Sequence, residues 1–341
     1  MPLVAMCMTF AACNKAPRWQ HQQGAVWNTT FNIVYESDKD LTDSVFAVFA
    51  EIEGGLSIFT DGSIVNSVNA GDTVEVNQDF INVFETACSV SRASGGKYDP
   101  TVAPLVELWG FGRNKDITSE PTAAEIEEAL KAVGINECII INGVIVKKDR
   151  STQFNFSSIA KGYGCDKVAA MLCRNGVNNY LVEIGGEIAL KGQSHRNKDW
   201  VVQIDAPVAE KKDEHVGMAV IEVSDCGVAT SGNYRNYRVD ANGNRIAHTI
   251  DATTGYPAVT PTLAATVIAP DVMTADALAT ALMAMQPDDA MIMIEMMPDV
   301  EALLVIDSGS GGFEAKKEWE TIDGSTQWIV VTSPGFPKIK F

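Results

Sequence analysis

The spacing of apolar residues predicts an α+β fold. Helical and strand-like stretches are mixed along the chain without the strict β-α-β alternation of a doubly wound sheet. No internal repeat and no low-complexity linker divides the 341 residues. Apolar residues make up 46% and charged residues 21%, ordinary proportions for a globular chain with a large core.

Residues 18–24 read as a tether. Trp27, Thr29, Phe31, Ile33 and Tyr35 then alternate with Asn28, Thr30, Asn32 and Val34, the period-two pattern of a strand. Ser37 caps a helix that carries Leu41, Val45, Val48, Phe49 and Ile52 on one face. A loop over 53–73 follows. Phe80, Val83, Phe84, Ala87 and Val90 predict a helix over 77–94, stopped by Gly95 and Gly96. Pro121 opens a short helix through Val133, and Asn142-Gly143 turns a hairpin between Cys138–Ile141 and Val144–Lys148. Ser157 or Ser158 caps a helix to about Arg174. Strands are expected at 179–190, 199–205, 217–224, 234–239, 262–269, 301–307 and 327–332, and helices at 273–285 and 287–296.

Acidic residues outnumber basic ones, 44 to 26, for a formal charge of -18. Such a surface disfavours nonspecific nucleic-acid binding, although a helix N-terminus or a metal can still hold a phosphate locally. No apolar stretch reaches the ~18 residues of a membrane span. Near the start, an apolar segment runs into Phe10-Ala11-Ala12-Cys13 and then turns polar. Small residues before a Cys resemble a bacterial lipobox, so residues 1–24 read as a signal remnant and tether, with Cys13 as the lipid anchor. Residues 25–341 form the working domain. With Cys7 removed and Cys13 lipidated, Cys88, Cys138, Cys165, Cys173 and Cys226 remain, none in a CxxC pair, and they are expected to be buried free thiols.

Chemistry concentrates in a few segments. In Asn155–Gly164, a helix start offers free N–H groups and Lys161 adds a cation in the first turn, which wants an anionic partner; a solvated surface lysine is the alternative. In Glu183–Glu187, Gly185-Gly186 interrupts an apolar strand, marking either a bulge or a ligand's close approach. His248, in the turn-rich stretch to Pro257, is a candidate base or phosphate contact, or else a structural turn residue. Asp276 and Thr280 share one helix face, and their oxygens suit magnesium. The same two residues could instead serve the helix dipole and bond back to a carbonyl.

Together and in this order, these segments resemble the ApbE family of FAD:protein FMN transferases. The block Ser91–Gly112, the stretch Leu56–Phe59, and the segments His248–Gly255 and Met273–Leu282 carry the resemblance, which covers nearly all of the chain after residue 25. It implies mixed sheets flanked by helices, with an FAD site in a cleft between lobes. It implies a reaction in which magnesium assists cleavage of the FAD pyrophosphate, FMN passes to a Thr or Ser hydroxyl, and AMP leaves. The implied acceptors are flavoprotein subunits of membrane redox complexes, met at the periplasmic face of a bacterial membrane. Carried over by motif, Trp27, Phe59, Trp109, Gly110, Phe111, Asn155, Lys161 and Ile250 contact FAD. Asp276, Thr280 and the Ser158 carbonyl hold the metal, and His248 with Lys161 serves the transfer. Asn155 stands where some members have Asp, Ala279 where some have a second acid, and Trp27 where Met is common. Ala252 replaces a usual Pro, which is expected to loosen its turn. An FAD pyrophosphatase and a non-catalytic FAD-binding lipoprotein are the rival readings.

Overall fold

The computed structural model describes residues 18–112, 120–207, 216–233, 237–239, 245–310, 320–325 and 328–340. Cys7, Cys13 and residues 234–236 of the strand expected at 234–239 lie outside the described residues.

The chain opens with a hairpin, β1 (Trp19–Val26) and β2 (Thr29–Glu36), paired antiparallel from Trp19 opposite Glu36 to Val26 opposite Thr29. The expected tether is therefore an edge strand. Its residues are polar because their partners are: Gln22 donates to the Tyr35 hydroxyl at 2.9 Å and Gln20 to the Ser37 carbonyl at 3.1 Å. Trp27 and Asn28 form the turn, both with positive φ (48° and 63°), as a two-residue hairpin turn requires. Next come α1 (Thr42–Leu56), α2 (Ile64–Ala70) and α3 (Gln78–Ala93). The loop expected at 53–73 contains α2, capped by Ser63, whose hydroxyl accepts from the Asn66 N–H. Short α4 (Ala103–Leu108) and α5 (Ala123–Leu130) follow, then the hairpin β3 (Ile139–Ile141) and β4 (Val144–Val146).

Helix α6 (Ala160–Arg174) starts at Ile159 with no side-chain cap. Neither serine acts as expected there: the Ser157 hydroxyl donates to Asn155 Oδ1 at 2.6 Å, and that of Ser158 to the Tyr98 hydroxyl at 3.2 Å. The strand expected at 179–190 is a hairpin, β5 (Tyr180–Ile184) and β6 (Glu187–Lys191), turned by Gly185 and Gly186 at positive φ. After it come β7 (Trp200–Asp205), β8 (Gly217–Val223), β9 (Cys226–Gly232), β10 (Tyr237–Val239), β11 (Arg245–Ala247) and β12 (Thr262–Ala269). Helices α7 (Val272–Met283) and α8 (Pro287–Glu295) precede β13 (Glu301–Asp307), β14 (Glu320–Ser325) and β15 (Trp328–Thr332).

A nine-stranded antiparallel sheet in the order β1-β2-β5-β6-β9-β12-β13-β15-β14 organises the molecule. Alternation along each strand splits its side chains between two cores. On one face Ile33, Val182, Val267 and Leu304 pack with α1, α3, α6 and α7. On the other, Leu190, Val228, Leu303 and Val330 meet Trp200, Val202 and Ile221 of the β7–β8 hairpin. A third cluster joins Leu105 and Trp109 to Ile126, Ile250 and Ala252. The five described cysteines are free, as expected, but only Cys88, Cys138 and Cys165 are buried, while Cys173 and Cys226 are partly exposed. No helix among the described residues is long and apolar enough to cross a membrane.

Helices α6 and α7 touch backbone to backbone. A Cβ at Gly162 would lie 2.5 Å from the Val272 carbonyl oxygen and 2.8 Å from Asp276 Cβ, so only glycine permits this approach. Asp166 of α6 accepts from the Val272 and Met273 N–H groups at 3.0 and 2.8 Å, fixing the first turn of α7.

Candidate functional site

Between the helical layer and the third cluster lies a cleft of roughly 1180 Å³. Drug-sized ligands usually occupy about 300–1,000 Å³, so this one has room for a dinucleotide. Its walls come from distant parts of the chain: Asn28 of the first turn, Phe59, Phe111, Asn155, Ser158, the ends of β9 and α7, and the stretch His248–Ile250.

At its base stands Lys161, in the first turn of α6. Its Nζ lies 2.6 Å from Glu187 Oε1 and 3.8 Å from Asp276 Oδ1. The Gly185 turn makes room for the lysine stem, since a Cβ there would sit 3.2 Å from Lys161 Cδ. Burial opposes the ammonium, but Asp276 and Glu187 outweigh it and hold Lys161 above the ordinary lysine range. Burial pushes Glu187 up to about 8, against the pull of Lys161. Asp276 is also raised by burial, with Lys161 and the Gly162 N–H working the other way. Two carboxylates face one ammonium here, and Glu187 Oε2 is buried without a hydrogen-bond partner. The second carboxyl group is neutralised either by the proton that burial favours or by a further cation.

Asp276 and Thr280 both line the cleft, one helical turn apart on α7. Asp276 is 2% exposed and accepts from the Gly162 N–H at 3.0 Å through Oδ2. The Thr280 hydroxyl lies 3.3 Å from that of Ser231, at the end of β9. The Asp276 carboxylate and the Thr280 hydroxyl are hard oxygen donors, Ser158 lines the same cleft, and such a donor set fits a magnesium ion. Among the described residues no cluster of three or more His, Cys, Asp or Glu is arranged for a metal, so such an ion takes most of its ligands from water and substrate. Ala279 is fully buried and does not line the cleft.

Across the cleft, His248 sits beside Phe111, ring centroids 6.4 Å apart and edge to face. Ile250 is 5% exposed and lines the same wall. Asp251 anchors this stretch, accepting from Lys97 Nζ at 2.5 Å and from the Thr253 N–H and hydroxyl at 2.9 and 2.6 Å. The Ala252 N–H, which proline lacks, donates to the Lys97 carbonyl at 3.3 Å and ties the turn to the loop after α3. Asn155 holds its own loop, accepting from the Ser157 N–H at 3.0 Å and donating its N–H to the Pro100 carbonyl at 2.8 Å.

The structure brings Phe59, Phe111, Asn155, Ser158, Lys161, His248, Ile250, Asp276 and Thr280 to one cleft. It does not bring Trp27, Trp109 or Gly110 to its walls. Trp27 packs edge to face on Phe49 at 5.3 Å and over Gly164, turning inward from the hairpin while Asn28 faces the cleft. Trp109 is 5% exposed and donates its indole N–H to the Gly255 carbonyl at 2.8 Å, so it braces the His248 stretch from behind. Sequence reading missed Glu187, Ser231 and Lys97 as cleft residues. The glycine pair before Glu187 was the available signal, since a tight turn places the next residue against Lys161.

The ApbE family profile matches residues 27–304, which include all of these cleft residues. The chain is 34% identical over 307 residues to an FAD:protein FMN transferase of Haemophilus influenzae, covering 86% of this chain and 88% of that one. It is 32% identical over 317 residues to the Vibrio cholerae protein of the same name, covering 90% and 93%. Among solved structures it superposes on the flavin transferase ApbE from Vibrio cholerae with a TM-score of 0.78 at 29% identity, covering 93% of this chain and 97% of that one. The apo flavinyl transferase ApbE of Pseudomonas stutzeri gives a TM-score of 0.76 at 29% identity, covering 93% and 94%. With strands β2 to β12, the helical layer and the cleft all inside the matched region, the chain belongs to the ApbE family.

Proposed function

We propose that this protein is an FAD:protein FMN transferase that attaches FMN to a Thr or Ser of a partner protein and releases AMP. The observation that carries the reading is the meeting of Lys161, Asp276, Thr280 and His248 at one dinucleotide-sized cleft. Asp276, Thr280 and the Ser158 carbonyl would hold magnesium. When bound, it supplies Lewis-acid neutralisation of the pyrophosphate charge.

The chain's own residues do the rest. Lys161 sets a fixed positive charge at the base, where anionic oxygens of the substrate lie. His248 takes the proton from the acceptor hydroxyl as its oxygen bonds to the phosphorus of the FMN half. The bond from that phosphorus to the bridging oxygen breaks, and AMP leaves with the oxygen and its electron pair. Phe59 and Phe111 offer flat faces for ring stacking. Positioning and electrostatics account for most of the catalysis in transfers of this kind.

Acceptor subunits of membrane redox complexes are the proposed partners, met at the periplasmic face with the enzyme anchored through Cys13. The Phe10-Ala11-Ala12-Cys13 motif supports that location. The test mixes protein, FAD, magnesium and a candidate acceptor subunit, and follows in-gel flavin fluorescence with AMP. Labelled acceptor with AMP in equal amount is expected. FMN and AMP without label would mean a pyrophosphatase, and intact bound FAD a storage protein.

A further inference from the structure

Glu187 begins β6 and turns its side chain under the cleft, 5% exposed. One carboxylate oxygen holds Lys161 Nζ at 2.6 Å, while the same ammonium stays 3.8 Å from Asp276 Oδ1. Asp276 Oδ2 is already engaged by the Gly162 N–H. Oδ1 is therefore the oxygen left for any other partner, and the ammonium is its nearest rival. A movement of about 1 Å would close a direct ion pair at the usual ~2.8 Å and cover that oxygen. The lysine stem is guided by the Gly185 turn, so the grip of Glu187 decides which way the ammonium leans.

We propose that Glu187 is a positioning residue that holds the Lys161 ammonium off Asp276 and so keeps that carboxylate open to a divalent cation. The proposal rests on the reading of Asp276 as a cation ligand. Glu187 Oε2, buried and without a hydrogen-bond partner among the described residues, is a second sign that the group faces a ligand. It is an oxygen left over for a water of a hydrated dication to meet.

A double-mutant cycle separates this role from a simple effect of charge. Mn2+ alone is titrated into the full chain and free Mn2+ is read by electron paramagnetic resonance. The proteins are wild type, Glu187→Gln, Lys161→Met, the double variant, and Asp276→Asn. Glu187→Gln should weaken Mn2+ binding by about tenfold or more, as loss of an outer partner of a metal ligand does. On the Lys161→Met background, with no ammonium to hold back, the same change should cost less than about threefold. Equal costs on both backgrounds would overturn the proposal, because charge alone would then explain them. Should Glu187→Gln not fold, Glu187→Asp enters the same cycle, and an undiminished affinity there would overturn the proposal too. Wild type that binds no Mn2+, or binds it as well as Asp276→Asn does, removes the cation reading itself and the proposal with it.

Discussion

Asp276 is the proposed metal ligand, and its surroundings say what its loss should do. It is buried, its Oδ2 accepts from Gly162, and its Oδ1 faces the cleft toward Lys161. Asp276→Ala leaves the Gly162 N–H without that acceptor and the Lys161 charge with only Glu187. Magnesium-dependent AMP release should then fall to background, measured by chromatography of the nucleotide products; turnover unchanged from wild type would refute the assignment. His248 lines the same cleft beside Phe111 and belongs to neither helix of the Lys161 cluster, so its removal should separate binding from chemistry. For His248→Ala, FAD binding by fluorescence quenching should persist while transfer drops by about 10²–10⁴, the usual worth of a positioned base. Full transfer in that variant would dismiss the role. At this scale the sequence was legible where several residue types converge. Asp276 with Thr280 at helical spacing and His248 among turn residues were readable as candidates. The state of Lys161 was not, because its partner Glu187 is 26 residues away and only the β5–β6 hairpin brings it near. The packing of the large aromatic residues was not legible, because size and flatness suit a core as well as a flavin: Trp27 packs on Phe49 and Trp109 bonds to Gly255.

The elements hold this site by fixing loops against helices. The stretch bearing His248 and Ile250 is held at Asp251, which Lys97 and Thr253 grip from the loop after α3 and from within the turn. Burial works against the Asp251 charge, yet these partners outweigh it and hold its carboxyl below the ordinary range. A depressed folded value means that the unfolded chain binds the proton first as pH falls. The stabilisation is therefore complete above the unfolded value, near 4, and is lost as pH drops through the lower folded value. Asp251→Asn should cost about 1–2 kcal/mol at pH 7, and the difference from wild type should shrink below about pH 4. Urea unfolding at pH 7 and pH 3.5 reads both. A gap that stays constant across that range would mean that Asp251 acts through shape and not charge. Helices α1, α3, α6 and α7 were legible because their apolar faces repeat at helical spacing. Strand β1 was not, because an edge strand facing polar partners lacks the alternation that marks a half-buried one. Helix α2 was hidden by its length of seven residues, too short for a periodic signal.

Across the whole molecule, the cleft is where the separate layers share a boundary. Glu187 belongs to the sheet, Lys161 and Asp276 to the helical layer, and Ile250 to the third cluster. A ligand that touches all three adds contacts between the third cluster and the two layers that already share a core. Binding to the folded state alone then stabilises the entire fold by mass action. At a free FAD concentration about a hundredfold above Kd, the gain is about 2.7 kcal/mol. For a chain of this size that corresponds to a rise in Tm of about 4 °C. The rise should be larger with magnesium present, since metal and pyrophosphate are held together. Asp276→Asn should lose the magnesium-dependent part of the rise and keep the part due to FAD alone, because the change leaves the proposed ring contacts, Phe59 and Phe111, in place. Calorimetry of both proteins with and without each ligand checks this. A wild-type Tm that ignores FAD would detach the cleft from the dinucleotide, and an Asp276→Asn protein with the full magnesium-dependent rise would move the metal elsewhere.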